Sequence, residues 1–166
     1  MSEKISPVLH LLCGKVASGK STLADRLACE PNTVLLREDA LLSGLYGEDM
    51  QTLKDFVEYS GRLRRTIAPH IVALLKTGTA VVLDFQANTK DARAWMKGLF
   101  EQAECDHRLH VLDVPDEICK ARLKQRNASG KHEFSVTEEQ FDRISNHFQR
   151  PTEDEGFVLE IHRIES

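Results

Sequence analysis

The sequence predicts an α/β fold, a parallel sheet doubly wound with helices. Short apolar runs alternate along the chain with longer segments of helical spacing, the alternation that builds βαβ units. The first apolar run stops at a glycine-rich loop that leads straight into a helix. No repeat, low-complexity tract or linker interrupts the 166 residues, so residues 1–166 read as a single domain at roughly 100–200 residues per domain.

Each element has a local reason. Val8 to Cys13 is short and mostly apolar, as a buried parallel strand requires. Lys20 to Cys29 has helical spacing through Leu23, Leu27 and Ala28 and is broken by Pro31-Asn32. Thr33 to Leu36 is the second strand, and a short helix covers Ala40 to Leu45, stopped by Gly47. Leu53, Phe56, Val57, Leu63, Ile67, Ile71, Leu74 and Leu75 recur near a period of about 3.6. They predict one long helix, or two divided at Pro69, ending at Gly78. Ala80 to Phe85 is the third strand. A helix over Lys90–Ala103 turns Ala94, Met96 and Phe100 inward, and Leu109 to Val114 is the fourth strand. Pro115 suits the first position of a helix running to Asn127, followed by a loop through Lys131. Thr137 and Gln140 form a capping box for a helix to Phe148. Phe157 to Ile161, after Gly156, is the last strand.

Composition narrows the function classes. Apolar residues make up 41% and charged residues 29%, a soluble globular balance. A net charge of −4 gives no general attraction to nucleic-acid backbones or anionic membranes. Cys13, Cys29, Cys105 and Cys119 contain no CxxC pair, so they read as small buried hydrophobes in a reducing, cytoplasmic setting. No apolar run reaches the ~18 residues of a membrane span, and no cleavable signal is present.

Gly14-Lys15-Val16-Ala17-Ser18-Gly19-Lys20-Ser21 matches G-x-x-x-x-G-K-[ST] throughout. A triphosphate needs many donors converging on anionic oxygens, and a tight loop of backbone N–H groups at a helix N-terminus supplies them. Gly14 and Gly19 permit close backbone approach. Lys20 reaches the β/γ oxygens and the Ser21 hydroxyl ligates Mg²⁺, with Thr22 next along the same helix start. ATP and Mg²⁺ are therefore the expected nucleotide and metal. The other reading, a glycine turn with an exposed lysine, leaves the strand–loop–helix context unexplained.

Two carboxylate positions join the loop. Asp84 stands at the carboxyl end of the third strand, where open parallel sheets bind ligands, and suits a metal site or a helix cap. Arg37-Glu38-Asp39 follows the second strand. Asp39 is the preferred base for a hydroxyl acceptor and Glu38 the second choice; Asp39 as a plain helix cap is the alternative. Arg122 and Arg126 share one helical face and predict a lid that stabilises the transferring phosphoryl group, against a solvated basic face. Of Arg62, Arg64 and Arg65, only one can face any single site. His132, His147 and Tyr59 read as surface or packing groups, and Trp95 and Phe100 as core anchors.

Taken in order, Gly14 to Ser21, Arg37-Glu38-Asp39, Asp84 with Asn88, and Arg122 with Arg126 resemble the small P-loop kinases. The closest resemblance is to zeta-toxin-like proteins, chloramphenicol phosphotransferase and the kinase domain of phage polynucleotide kinase. It covers about Val8 to Gly156, with Leu83 to Thr89 through Trp95 most like the polynucleotide kinase domain and Arg150 to Phe157 like bacterial members. The resemblance implies a three-layer P-loop NTPase fold with a five-stranded parallel sheet of order 2-3-1-4-5 and a helical lid. It implies Lys20 on the phosphates, Ser21 on Mg²⁺, Asp39 as base, lid arginines at Arg122 and Arg126, and Gln149 and Arg150 beside the adenine. Relatives often carry Asp-x-x-Arg after the second strand, whereas Asp39-Ala40-Leu41-Leu42 has leucine. The expected activity is phosphotransfer to a hydroxyl of a small-molecule acceptor. A nucleic-acid 5′-hydroxyl is the less favoured acceptor, and an acceptor-free ATPase or switch the third possibility. Gly44 to Arg65 is the segment expected to shape the acceptor pocket.

Overall fold

Five strands form because β-branched and leucine side chains alternate to fill both faces of a sheet that is covered on each side. In the computed structural model, which describes residues 6–130 and 135–164, the strands are β1 (Val8–Cys13), β2 (Thr33–Arg37), β3 (Ala80–Gln86), β4 (Asp106–Asp113) and β5 (Leu159–Arg163). The sheet order is β2-β3-β1-β4-β5, and every pairing is parallel. The helices are α1 (Lys20–Leu27), α2 (Glu38–Tyr46), α3 (Leu53–Lys76), α4 (Lys90–Ala103), α5 (Asp116–Ser129) and α6 (Glu138–Ser145).

Alternation splits the core in two. Leu9, Leu11, Cys13, Leu83, Phe85, Leu109 and Val111 join Ile71, Leu75, Met96 and Leu99 of α3 and α4. Leu12, Val82 and Leu112 on the other face join Leu23, Cys119, Leu123 and Phe141 of α1, α5 and α6. The amphipathic helices thus bury one stripe each, which contributes most of their stability. Among the described residues, no helix is long and apolar enough to cross a membrane.

Several expectations need correction. Pro69 lies inside α3 and does not divide it, because the helix forfeits only the bond that the missing N–H would make and the buried stripe continues past it. α2 begins at Glu38, two residues before the predicted start, so Asp39 sits in its first turn and Arg37 is the N-cap. Pro115 is the N-cap of α5, and the helix continues through Ser129, so Asn127, Ala128 and Ser129 are helical. Lys131 and His132 lie outside the described residues. Ala94 is exposed, and Ala92, Met96, Leu99, Phe100 and Ala103 line the inner face of α4. Cys29 is exposed, unlike buried Cys13 and Cys119. Burial pushes the Cys13 thiol up to about 11, which leaves it inert near neutral pH. The Thr137–Gln140 capping box forms as expected.

Candidate active site

The glycine loop leaves the carboxyl end of β1 and enters α1. Gly19 adopts φ 104° at the helix N-cap, a conformation that favours glycine. Gly14 is required for a different reason: a Cβ there would lie 2.5 Å from Ser18 Oγ and 3.1 Å from Leu112 Cβ. Ala17 also takes a positive φ of 62°, which bends the loop around its own interior. Ser18 is buried, and its Oγ has no hydrogen-bond partner among the described residues. Val16 and Ala17 pack on the α1–α5 core, which holds the loop from below.

A register change anchors the loop from the side. Leu11 pairs with Leu83 but Leu12 with Gln86, and Ala87 N donates to Leu12 O at 3.0 Å. The shift brings Asn88 against Gly14, where it makes a two-way bond: Gly14 N donates to Asn88 Oδ1 at 2.9 Å, and Asn88 Nδ2 donates to Gly14 O at 2.8 Å. Behind it, fully buried Arg93 donates to Ala87 O at 2.9 Å and to Glu155 Oε1 at 2.7 Å.

Lys20 Nζ donates to Gly14 O at 2.6 Å and Lys15 O at 2.9 Å. Burial pulls its ammonium down to about 8, opposed chiefly by the negative charge of Asp84 and, more weakly, by that of Asp39. Ser21 Oγ donates to Asp84 Oδ2 at 3.1 Å. Burial raises the Asp84 carboxyl, against the pull of Ser21, Arg37 and Lys20. The sequence gives Arg37 no role of its own within Arg37-Glu38-Asp39, yet parallel pairing sets it directly beside Asp84. Its Nε lies 3.4 Å from Asp84 Oδ2, and its guanidinium also pairs with Asp25. The strand-end position was its signal, masked by the adjacent acidic pair. Thr22 follows exposed in α1. The Lys15 side chain instead pairs with Asp116 at 2.8 Å.

Glu38 and Asp39 diverge sharply. Glu38 is buried, accepting from Ser60 Oγ and from Arg64 Nη2 at 3.2 Å. The Arg64 guanidinium lies 5.3 Å from the Trp95 ring centre and 5.8 Å from that of Phe85. Asp39 is exposed at the crevice end of β2. Arg62 pairs with Glu58 on the surface, so of the three neighbouring arginines Arg64 is the one bound inward. Tyr59 stacks on Tyr46 at 4.2 Å within the segment expected to shape the acceptor pocket.

Arg122 reaches the loop: its Nη1 donates to Ser18 O at 3.3 Å and passes next to Gly19. Arg126, one turn on, makes no such contact, and its buried Nε has no hydrogen-bond partner among the described residues. A cleft of about 840 Å³ opens beside the loop, lined by residues including Lys15, Pro115, Phe148 and Arg150. Arg150 donates to Asp113 Oδ2 at 3.3 Å on its wall. Gln149 does not line it: its Oε1 accepts from Lys90 N at 2.9 Å, and its own N donates to Asn88 O at 2.8 Å.

The sequence profile of the AAA_33 family, described as an AAA domain, matches residues 9–151. No curated protein matches the chain. An unliganded sugar kinase from Janibacter sp. HTCC2649 is 18% identical, with 95% of this chain and 85% of that one covered at a TM-score of 0.66. The Mycobacterium tuberculosis APS kinase CysC, in complex with AMPPNP and APS, is 21% identical, with 97% and 90% covered at a TM-score of 0.63. A chain of the Pnkp1/Rnl/Hen1 RNA repair complex is 22% identical over 85% of this chain but 43% of its own, at a TM-score of 0.66. At these identities the likeness is one of fold: a P-loop kinase fold with a sheet of order 2-3-1-4-5.

Proposed function

Because the chain belongs to the AAA_33 family of AAA domains, we propose that it is an ATP-dependent phosphotransferase acting on a hydroxyl of a small molecule. The observation that carries this reading is convergence. Lys20 and Ser21 after β1, Asp84 on β3 and Asp39 after β2 all stand at the carboxyl ends of adjacent strands, the end where open parallel sheets bind ligands.

Each group has a role in that reading. The loop amides Gly14 to Ser21 cradle the β- and γ-phosphates, and Lys20 leaves the loop carbonyls for phosphate oxygens. Arg122, already against Ser18, holds charge on the moving phosphoryl group, and Arg126 joins it only if α5 and α6 close over ATP. The ~840 Å³ cleft between Pro115 and Arg150 takes the base. Ser21 Oγ and Asp84 Oδ2 form an all-oxygen pair that suits a hard cation, so these two would hold Mg²⁺. When bound, Mg²⁺ neutralises charge on the β- and γ-oxygens. Asp39 accepts the acceptor's hydroxyl proton as its oxygen bonds to the γ-phosphorus and ADP departs. Glu38, saturated by Ser60 and Arg64, shapes the wall beside it.

The test is a screen of cell metabolites with γ-labelled ATP, run with Asp39→Asn and Glu38→Gln. Label on one metabolite, lowered ~10²–10⁴-fold in Asp39→Asn, is the expected result. Label moving only to water across the whole panel would favour an acceptor-free ATPase and end the kinase reading. A nucleic-acid 5′-hydroxyl acceptor needs a continuous run of unpaired cations leading to Asp39, whereas Arg37, Arg62 and Arg64 are each ion-paired.

A further inference from the structure

Three histidines cross the sheet below the loop. His10 Nδ1 lies 3.0 Å from His110 Nε2, and His110 Nδ1 lies 3.0 Å from His162 Nε2. They come from β1, β4 and β5, on the face that packs against α1, α5 and α6. Parallel pairing sets His110 beside Glu160, and His162 stands two residues further along β5 on the same face. Glu160 Oε2 is 3.7 Å from His110 Nδ1, and Glu160 Oε1 is 3.9 Å from His162 Nε2.

We propose that His110, His162 and Glu160 form a binding site for a zinc-type divalent transition-metal ion on the β4–β5 edge, separate from the phosphate loop. One donor atom from each of the three lies within 4.8 Å of the others. Their separations bracket the ~3.3–3.5 Å between ligand atoms of a tetrahedral site with bonds of ~2.0–2.1 Å. Two imidazoles and one carboxylate favour zinc, copper or nickel over magnesium, which prefers oxygen alone.

The surroundings fit the role. His10 faces the far nitrogen of His110, and a metal-ligating histidine commonly donates its second N–H to such a partner. With His110 Nε2–H donating to His10 Nδ1, the His110 Nδ1 lone pair points at the cluster. His110 is buried whereas Glu160 is exposed, so water has access to the remaining coordination position. Arg108, on the same face of β4 one pleat away, is the opposing charge, and Glu160 offsets it. His10 precedes Gly14 by about four residues, which is ~13 Å of strand. The ion would therefore tie edge strand β5 to the centre of the sheet without touching the phosphates.

The competing account is a plain ladder of hydrogen-bonded imidazoles. The experiment titrates ZnCl₂ into EDTA-stripped, desalted protein by calorimetry in millimolar Mg²⁺, and follows Co²⁺ in the visible spectrum. Because a change at buried His110 risks the fold, the variants are His162→Gln and Glu160→Gln on the edge strand, with Ser21→Ala/Asp84→Asn removing the loop's cation pair. We expect one equivalent of zinc with Kd on the order of 1 μM or tighter. His162→Gln and Glu160→Gln should each weaken it ~30-fold or more, His10→Gln ~10-fold, and the Ser21/Asp84 variant not at all. Absence of stoichiometric binding, or binding undiminished in His162→Gln and Glu160→Gln, would overturn the site and leave the ladder purely structural.

Discussion

On the β1–β4 side of the sheet, the loop Gly14–Ser21 is shaped by backbone: a positive φ at Gly19, a Cβ excluded at Gly14, and both polar groups of the Gly14 peptide face matched by one asparagine. On the β2 side, the neighbourhood of Asp39 is shaped by side chains that meet from distant segments: Glu38 of α2, Ser60 and Arg64 of α3, Trp95 of α4. A polyphosphate is common to every ATP-dependent reaction, so a fixed backbone cradle suits it. An acceptor differs from one reaction to the next, and side chains can be exchanged without refolding a loop. The two halves should therefore fail differently. Damage to the first should remove catalysis with the fold intact, and damage to the second should destabilise the protein around a surviving phosphate site.

The largest effect should come from the cradle. Lys20→Met should lower phosphoryl transfer ~10²–10³-fold, the cost of losing one preorganised charge at the transition state. Among the described residues the Lys20 ammonium donates to two carbonyls of its own loop, so the melting temperature should stay near the parent value. A fall in stability as large as the fall in rate would erase the contrast between the halves.

The second effect belongs to the acceptor side. Arg64→Met removes the cation from Glu38, whose side chain is 4% exposed. A buried charge left without its partner costs on the order of 3 kcal/mol, visible as a lowered denaturation midpoint. Adding Glu38→Gln to that variant should restore part of the loss, because the stranded charge goes with it. If Glu38→Gln alone abolished transfer while Asp39→Asn did not, the roles of the two carboxylates would be exchanged and the side-chain half would prove catalytic.

The same division explains what could be read in advance. Lys20, Ser21 and Asp84 stand out as candidates in the sequence because a contiguous motif and a strand-end rule do not depend on tertiary detail; in the structure Ser21 Oγ donates to Asp84. The choice between Glu38 and Asp39 turned on where α2 begins, a boundary of one or two residues that sequence patterns do not resolve. Arg64 lies 26 residues from Glu38, and no local spacing announces that pairing. Arg93 was hidden for a related reason: charged side chains are read as solvent-facing, yet this one is fully buried behind the loop because Glu155 and Ala87 O satisfy it. The resemblance implies Gln149 beside the base, whereas its side-chain oxygen accepts from Lys90 N at the start of α4.

Asn88 joins the two kinds of construction, since one side chain from the end of β3 serves the backbone cradle. Asn88→Ala would leave Gly14 N without its side-chain acceptor at the entrance to the loop, and Gly14 O with Lys20 Nζ as its remaining donor. Unmet buried polar groups cost about 1–3 kcal/mol, but water at this half-buried site replaces part of the loss, so about 1 kcal/mol of stability should go. Because the loop then samples geometries that no longer cradle phosphate, the Kd for ATP should rise about tenfold, equivalent to roughly 1.4 kcal/mol. Calorimetric titration with a non-hydrolysable ATP analogue reads the affinity, and urea unfolding reads the stability. Asn88→Asp keeps the acceptor for Gly14 N but loses the donor to Gly14 O, and it adds a negative charge beside the phosphates. It should therefore bind ATP more weakly than Asn88→Ala. If it instead bound ATP as well as the parent, the two-way bond would be incidental to the cradle, and the backbone of Gly14–Ser21 would hold its shape without help from β3.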